Sequence, residues 1–449
     1  MGTPTPTRVL SGCLQRHSGP ADRMTRREFL RGASAAFAAP WVVASSALGL
    51  AGRSPSERIA MGFIGTGAQG MGNLKTFLYR DDVQVLAVCD VDSSRREEAR
   101  KVVEEHYARK SQGTGRQQCA SYSDFRELVA RDDIDAVVIS TPDHWHTIPA
   151  LEAVRSGKDV YCEKPLTLTI AEGRVLADAV RRYGRVFQTG SQQRSSDKFR
   201  LACELVRNGR IGALRLIKTG LVRGRATGLH AAEPVPKGFD YEMWLGQAPW
   251  APYCKERCHY NFRFILDYSG GQMTNWGAHH NDIAQWGNGT DLSGPVEVEG
   301  RGEFPADGLY DAPIDFEVEY TYANGVRLLC STKNRSGVTF EGSEGWIYVD
   351  RGQLAANPPS VLGSVIKPNE IRLYESRDHH RNFLDCVRSR SETVAPAEIG
   401  HRSATVCHLG NIAMLLRRRL RWDPGRERFV NDPEADRMIA RAMRAPWRL

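Results

Sequence analysis

Apolar residues in the first half of the chain come in short unbroken runs separated by segments of helical spacing. Ile59–Ile64 (IAMGFI) has the length of a buried strand, and Met71, Leu74, Phe77 and Leu78 then recur on one helical face. VQVLAVC, IDAVVIS and DVYC repeat the strand pattern, with the helical IPALEAVRSG between the last two. Strands alternating with helices predict a doubly wound parallel sheet, a Rossmann domain over 57–185. The pattern then changes. Residues 197–209 form an amphipathic helix, and LRLIKTGLV, VEVEGRGEF, FEVEYTYANGVRLLCST, VTFEGSEGWIYVD and IRLYES follow, several alternating apolar and polar residues at period two. Asn324-Gly325 marks a hairpin. The expectation is an α/β domain plus an α+β domain over 186–416, the latter a large, open, mainly antiparallel sheet with helices on one face. The loop 234–264 interrupts it with many aromatics, expected to pack the loop onto the domain rather than to stack on sugars.

The formal charge of +8 is concentrated at the two ends. Residues 1–52 hold six arginines against two acids, and 417–449 hold ten against five, so the remainder is close to neutral. That distribution argues against a nucleic-acid surface, which needs a contiguous basic face. Thr25-Arg26-Arg27-Glu28-Phe29-Leu30-Arg31 precedes a weakly apolar run and looks like a twin-arginine signal. Residues 1–52 are therefore read as an export leader, with the twin-arginine machinery as partner and a periplasmic destination, tethered to the membrane if the leader stays uncleaved. Residues 417–449 read as a basic, solvated tail. Ten cysteines are scattered, and Cys254 and Cys258 lack zinc-ribbon spacing, so no metal is expected.

Gly65, Gly67 and Gly70 follow a strand and open a helix, the setting in which this spacing binds a dinucleotide diphosphate. Asp90 closes the second strand, where an acid binds ribose hydroxyls and repels a 2′-phosphate. NAD is thus favoured, while Ser93, Ser94, Arg95 and Arg96 leave NADP open. Thr141–His146 and Glu163–Pro165 sit at other carboxyl strand ends, where such sheets bind ligands. In GQMTNWGAHHNDIAQWG (271–287), a helix would put Asn275, His279 and Asp282 on one stripe and turn His280 away. An amide is a poor zinc ligand, so an acid/base role for the histidine is the better reading.

Gly65-Thr66-Gly67-Ala68-Gln69-Gly70, Thr141-Pro142 with His146, and Glu163-Lys164-Pro165 together resemble the glucose–fructose oxidoreductase, inositol dehydrogenase and rhizopine-catabolism family (Gfo/Idh/MocA). The resemblance runs from about residue 57 to about 415. It implies a sugar or cyclitol substrate and an NAD(P)-dependent oxidoreductase with hydride transfer to a tightly bound nicotinamide, and a homo-oligomer. It places Lys164 beside nicotinamide and the reacting hydroxyl, and makes His279 the second catalytic residue. Asn275 stands where relatives carry aspartate and is expected to orient the His279 ring without adding charge. Gln192, Gln193, Arg194, Arg263 and Asp282 are candidate substrate contacts. The family also includes redox-neutral, NAD-dependent glycoside hydrolases that pass through a keto-sugar, the second implied activity.

Overall fold

Six parallel strands in the order β3-β2-β1-β4-β5-β6 form the first sheet of the computed structural model, which describes residues 57–110 and 118–449. Its elements are β1 (Ile59–Ile64), α1 (Ala68–Leu78), β2 (Val83–Cys89), α2 (Ser93–Lys110), β3 (Ala120–Tyr122), α3 (Phe125–Val129), β4 (Ala136–Ile139), α4 (Thr147–Arg155), β5 (Asp159–Cys162), α5 (Ile170–Tyr183) and β6 (Phe187–Thr189). The order reverses between β1 and β4, and the crevice at such a switch point is where doubly wound sheets bind ligands. The arginine-pair leader and Cys13 lie outside the described residues. The nine cysteines among the described residues are buried and unpaired, Cys254 and Cys258 included.

The second domain adds α6 (Asp197–Arg207), β7 (Leu214–Gly220), α7 (Tyr241–Leu245), α8 (Gly271–Asn275), α9 (Gly277–Asn288) and β8 (Pro295–Glu303). Then come β9 (Asp315–Tyr322), β10 (Arg327–Ser331), β11 (Gly337–Gly342), β12 (Trp346–Val349) and β13 (Leu354–Asn357). They build a nine-stranded sheet, antiparallel apart from the β7–β10 pair. Period two decides its faces. Phe316, Val318, Tyr320 and Tyr322 of β9 point into one core with Phe199 of α6 and Ile283 and Trp286 of α9. The opposite face carries charge pairs such as Lys218–Glu341 and Arg327–Glu319. The 234–264 loop packs its own small core, in which Phe239, Tyr241, Trp244 and Tyr253 are buried, whereas Trp250 and Tyr260 stay exposed.

Three expectations need correction. IRLYES (371–376) joins no strand, because Glu204 of α6 and Asn208 just after that helix take its backbone groups. Asn208 brackets the Ile371 N–H and C=O at 2.9 Å, and Glu204 accepts from the Leu373 N–H at 2.9 Å. Next, the chain does not leave the first domain for good at 185. Helix α10 (His379–Ser389) returns to it, and Phe383, Leu384 and Val387 share a core with Met61, Phe77 and Tyr161. Finally, residues beyond 416 are not a solvated tail. After α11 (Ala397–Leu416), β14 (Leu420–Asp423) pairs with β8, and β15 (Arg428–Phe429) pairs with β14. Trp422 and Phe429 meet at 4.9 Å between ring centroids, and Trp447 packs on Trp145 at 4.8 Å. The basic charge is matched locally, for example Arg418 by Asp432 and Glu434.

Trp422→Ala is expected to cost about 3–5 kcal/mol, the usual loss for a buried indole. Urea unfolding of the full chain would show this as a lower midpoint, whereas a solvated tail would leave the midpoint unchanged.

Candidate active site

The β1–α1 turn is built for a close approach. Gly65 has φ +83°, and a Cβ there would lie 2.7 Å from the Ser140 carbonyl carbon. A Cβ on Gly70 would lie 1.9 Å from the Gly65 carbonyl oxygen, so helix and strand touch backbone to backbone. Gly67 caps α1 without a side chain, and no acid occupies the first turn. The first amides of a helix lack partners within it and favour an anion, so this terminus suits a diphosphate. Asp90, at the end of β2, accepts from the Thr66 N–H (2.7 Å) and O–H (3.1 Å) and from the Asp92 N–H (2.9 Å). A carboxylate has about four acceptor positions, so about one stays free for a ribose hydroxyl. Arg96 turns to the Asp90 carbonyl and Ser121, and Ser94 to Asp92, away from a 2′-phosphate. These residues fit a dinucleotide and favour NAD.

A cavity of about 1040 Å³ runs from this turn to the second domain. Gly65, Gly67, Ala68, Gln69, Asp90, Thr141, Pro142, His146, Glu163 and Lys164 line it from the first domain, and Arg263, Asn275, Trp276, His279 and Arg351 from the second. Thr66 and Gly70 hold the turn from behind. His146 ties two strand ends together, its ring nitrogens lying 2.7 Å from the Pro165 carbonyl and 3.0 Å from that of Thr141. The Thr141 hydroxyl is buried without a partner. Glu163 accepts through Oε1 from Gln69 (3.0 Å), Asn73 (3.0 Å) and Gln192 (3.2 Å).

Lys164 donates to both oxygens of Asn275, at 2.9 Å to the side chain and 3.1 Å to the main chain. Burial lowers its pKa from the ordinary lysine value, only partly opposed by Glu163 and Asp143. His279 is buried with Nδ1 unpartnered. Burial, then the neighbouring Lys164, holds it well below the ordinary histidine range, so the ring is neutral at pH 7. The cavity thus presents a softened amine and a neutral imidazole side by side, a pair suited to binding a hydroxyl and moving its proton.

Three placements differ from the sequence reading. Asn275 faces Lys164 and Gln272, not the His279 ring. The helix breaks at Trp276, between α8 and α9, so the single ideal stripe does not hold. Asp282 and Arg194 do not line the cavity. They form a buried bidentate pair at 2.8–3.0 Å, with Ser403 donating to Asp282 at 2.6 Å and Asp291 3.3 Å from Arg194. Two opposite charges with so many fitting partners satisfy each other instead of a ligand. His280 binds the Gly220 carbonyl at 2.9 Å and is pushed down to about 4 by burial, a packing role. Asn73, Arg351 and His380 line the cavity and were not singled out as contacts. Asn73 lies one turn beyond Gly70 in the motif helix, a signal that was legible. His380 reaches Asn73 at 3.1 Å only through the return of α10, which no local pattern announces.

Asp282→Ala should cost about 3–5 kcal/mol, because it strands the buried Arg194 guanidinium. Chemical denaturation would measure it, and a substrate contact without structural weight would leave stability intact.

Comparison with known proteins agrees with this geometry. The family model for an oxidoreductase-family C-terminal alpha/beta domain of the Gfo/Idh/MocA type matches residues 223–449, and that for the NAD-binding Rossmann fold matches 59–191. A glycosyl hydrolase family 109 protein of Shewanella pealeana is 36% identical over 127 residues, 28% of this chain and 27% of that protein. A second from Shewanella baltica is 28% identical over 243 residues, half of each chain. The matches thus span half or less of those relatives. Among solved structures, the WlbA dehydrogenase of Bordetella pertussis with NADH and UDP-GlcNAcA superposes with TM-score 0.60 at 16% identity, over 82% of this chain and 99% of that one. Scyllo-inositol dehydrogenase of Lactobacillus casei, with NAD(H) and scyllo-inositol, gives 0.56 at 18%, over 81% and 99%. With its Rossmann sheet, its nine-stranded second sheet and these two matches together, the chain belongs to the Gfo/Idh/MocA oxidoreductase family, with an NAD-binding Rossmann domain.

Proposed function

We propose that the protein is an NAD-dependent oxidoreductase acting on a hydroxyl of a sugar, sugar derivative or cyclitol. The observation that carries this reading is the Lys164–Asn275 hydrogen-bond pair beside neutral His279, in a cavity continuous with the glycine turn. Gly65–Gly70 would hold the diphosphate of a dinucleotide, Asp90 its ribose and Thr141–Pro142 the following segment, and the nicotinamide would supply a two-electron acceptor for a carbinol C–H bond. The chain's own residues handle the proton. Asn275 holds the Lys164 Nζ by two acceptors, and burial favours the neutral amine, which takes the hydroxyl proton. His279, neutral and unpartnered at Nδ1, orients the substrate oxygen. Glu163, held by three amides, keeps the turn carrying Lys164 in place.

A second reading is redox-neutral glycoside cleavage through a transient keto-sugar. The relatives named glycosyl hydrolase family 109 support it. So does the leader at Thr25–Arg31, because an exported enzyme meets little free NAD and must carry and recycle its own. Export in folded form to the periplasm, and assembly as a homo-oligomer, belong to the same proposal.

Lys164→Met should lower kcat/KM by about 10²–10⁴-fold, the usual worth of a positioned proton acceptor, with the bound nucleotide retained. Asn275→Asp puts a carboxylate within hydrogen-bond reach of the amine and favours its charged form. The acid limb of the pH–rate profile should then move up by about one unit and neutral-pH activity should fall. A limb that stays put would remove Lys164 from the proton step. Denaturing the purified full chain and identifying the released nucleotide tests the cofactor, with NAD expected. Glycoside cleavage without added NAD or net NADH would favour the second reading over the first.

A further inference from the structure

Two arginines, Arg263 and Arg351, line the cavity that holds Lys164. Arg351, in the turn between β12 and β13, lines the cavity and lies over the Trp276 ring at 4.9 Å. Arg263 also lines it, over the Tyr260 ring at 3.8 Å, and donates to the Tyr260 carbonyl at 2.8 Å. Neither arginine is in an ion pair among the described residues, whereas Arg194, Arg223 and Arg444 are. The nearby acids bind neutral donors and neither arginine. Glu163 is held by three amides. Asp143 is buried against the Ser269 hydroxyl, and burial raises its pKa. Asp350 accepts from the Tyr348 hydroxyl and from the Gly352 and Gln353 amides. Both arginines act electrostatically on Lys164, and Arg351 also on His279. They therefore stand at the substrate end. The diphosphate end has its own cation, Arg95, whose guanidinium would lie 3.0 Å from a Cβ on Gly67.

Gln193 adds an independent observation. It lines the same cavity, is 4% exposed, and neither its amide nitrogen nor its amide oxygen has a partner. A buried amide without partners costs stability unless a ligand completes it. Planar guanidinium groups match a carboxylate or sulfate in a forked geometry, and such bonds are stronger than those to a neutral hydroxyl.

We infer that the substrate is an acidic sugar, a carboxylate- or sulfate-bearing glycoside, whose anionic group is held between Arg263 and Arg351 while Gln193 meets a ring hydroxyl. The inference rests on the reading of this cavity as a sugar site. A neutral sugar would leave both arginines without an ion-pair partner.

The test is a calorimetric titration of the full-chain holoprotein with D-glucuronate, D-galacturonate, glucose 6-sulfate and galactose 6-sulfate, each against its uncharged parent sugar. At least one acidic sugar should bind about tenfold or more tightly than its parent. Arg351→Gln and Arg263→Gln should each bring that ratio towards one, and Arg351→Lys should keep part of it because the charge remains. Added sodium chloride should weaken the acidic sugar more than the parent. Parent sugars that bind as well as the acidic ones, no binding by any acidic sugar, or a ratio untouched by both glutamine variants would each overturn the inference. The two readings fail separately. Arginine-dependent binding without nicotinamide reduction or glycoside cleavage would sink the proposed chemistry and keep the anion site. Turnover of neutral sugars with no acidic preference would do the reverse.

Discussion

The buried pair between Arg194 and Asp282 is the constraint on which the site geometry rests. Both side chains are 1% exposed, and they join the end of the first domain to α9, while Ser403 brings in α11. A charge removed from water so completely must be met by fitting partners, or it destabilises the fold by several kcal/mol. The pairing therefore sets the rotation of α9 about its axis. With Asp282 turned toward Arg194, His279 one turn earlier reaches the cavity, and the break at Trp276 lets Asn275 meet Lys164. A pair that touches no ligand thus decides which residues do.

The cavity shows the opposite economy of charge. Glu163 is surrounded by neutral donors and its neighbour Lys164 by neutral acceptors, so the two adjacent charges are not spent on each other. Burial then weakens the charged form of Lys164 and of His279 alike. Shifts of this kind arise where a fold leaves titratable side chains dry and without a counter-charge. The site lies at the switch point of the parallel sheet because only there do the carboxyl ends of β1, β2, β4 and β5 open toward one crevice.

Much of the first domain was legible because parallel strands are buried on both faces and read as unbroken apolar runs. The dinucleotide turn was legible for a steric reason, since only glycine fits where Gly65 and Gly70 meet neighbouring backbone. The second sheet was readable where period two was strong, as in β9, and misread at 371–376, where alternation persists but Glu204 of α6 and Asn208 just after it take the backbone groups. The tail misled for a related reason. Its net charge suggested solvation, while the apolar Leu420, Trp422 and Phe429 that decide its packing are sparse in sequence.

By itself the sequence determined the two fold classes, the cofactor turn with Asp90, and the identity of Lys164, His279 and Asn275 as residues to watch. The first two follow from local sterics, periodicity and short motifs, and the last from the family resemblance those motifs carry. Tertiary structure alone decided the partners. It turned Asn275 to Lys164, withdrew Arg194 and Asp282 into a structural pair, and brought Asn73, His380, Arg263 and Arg351 to the cavity wall. The physical reason is that a side chain's partner depends on which distant elements pack against it, and burial fixes that choice only when the whole core closes.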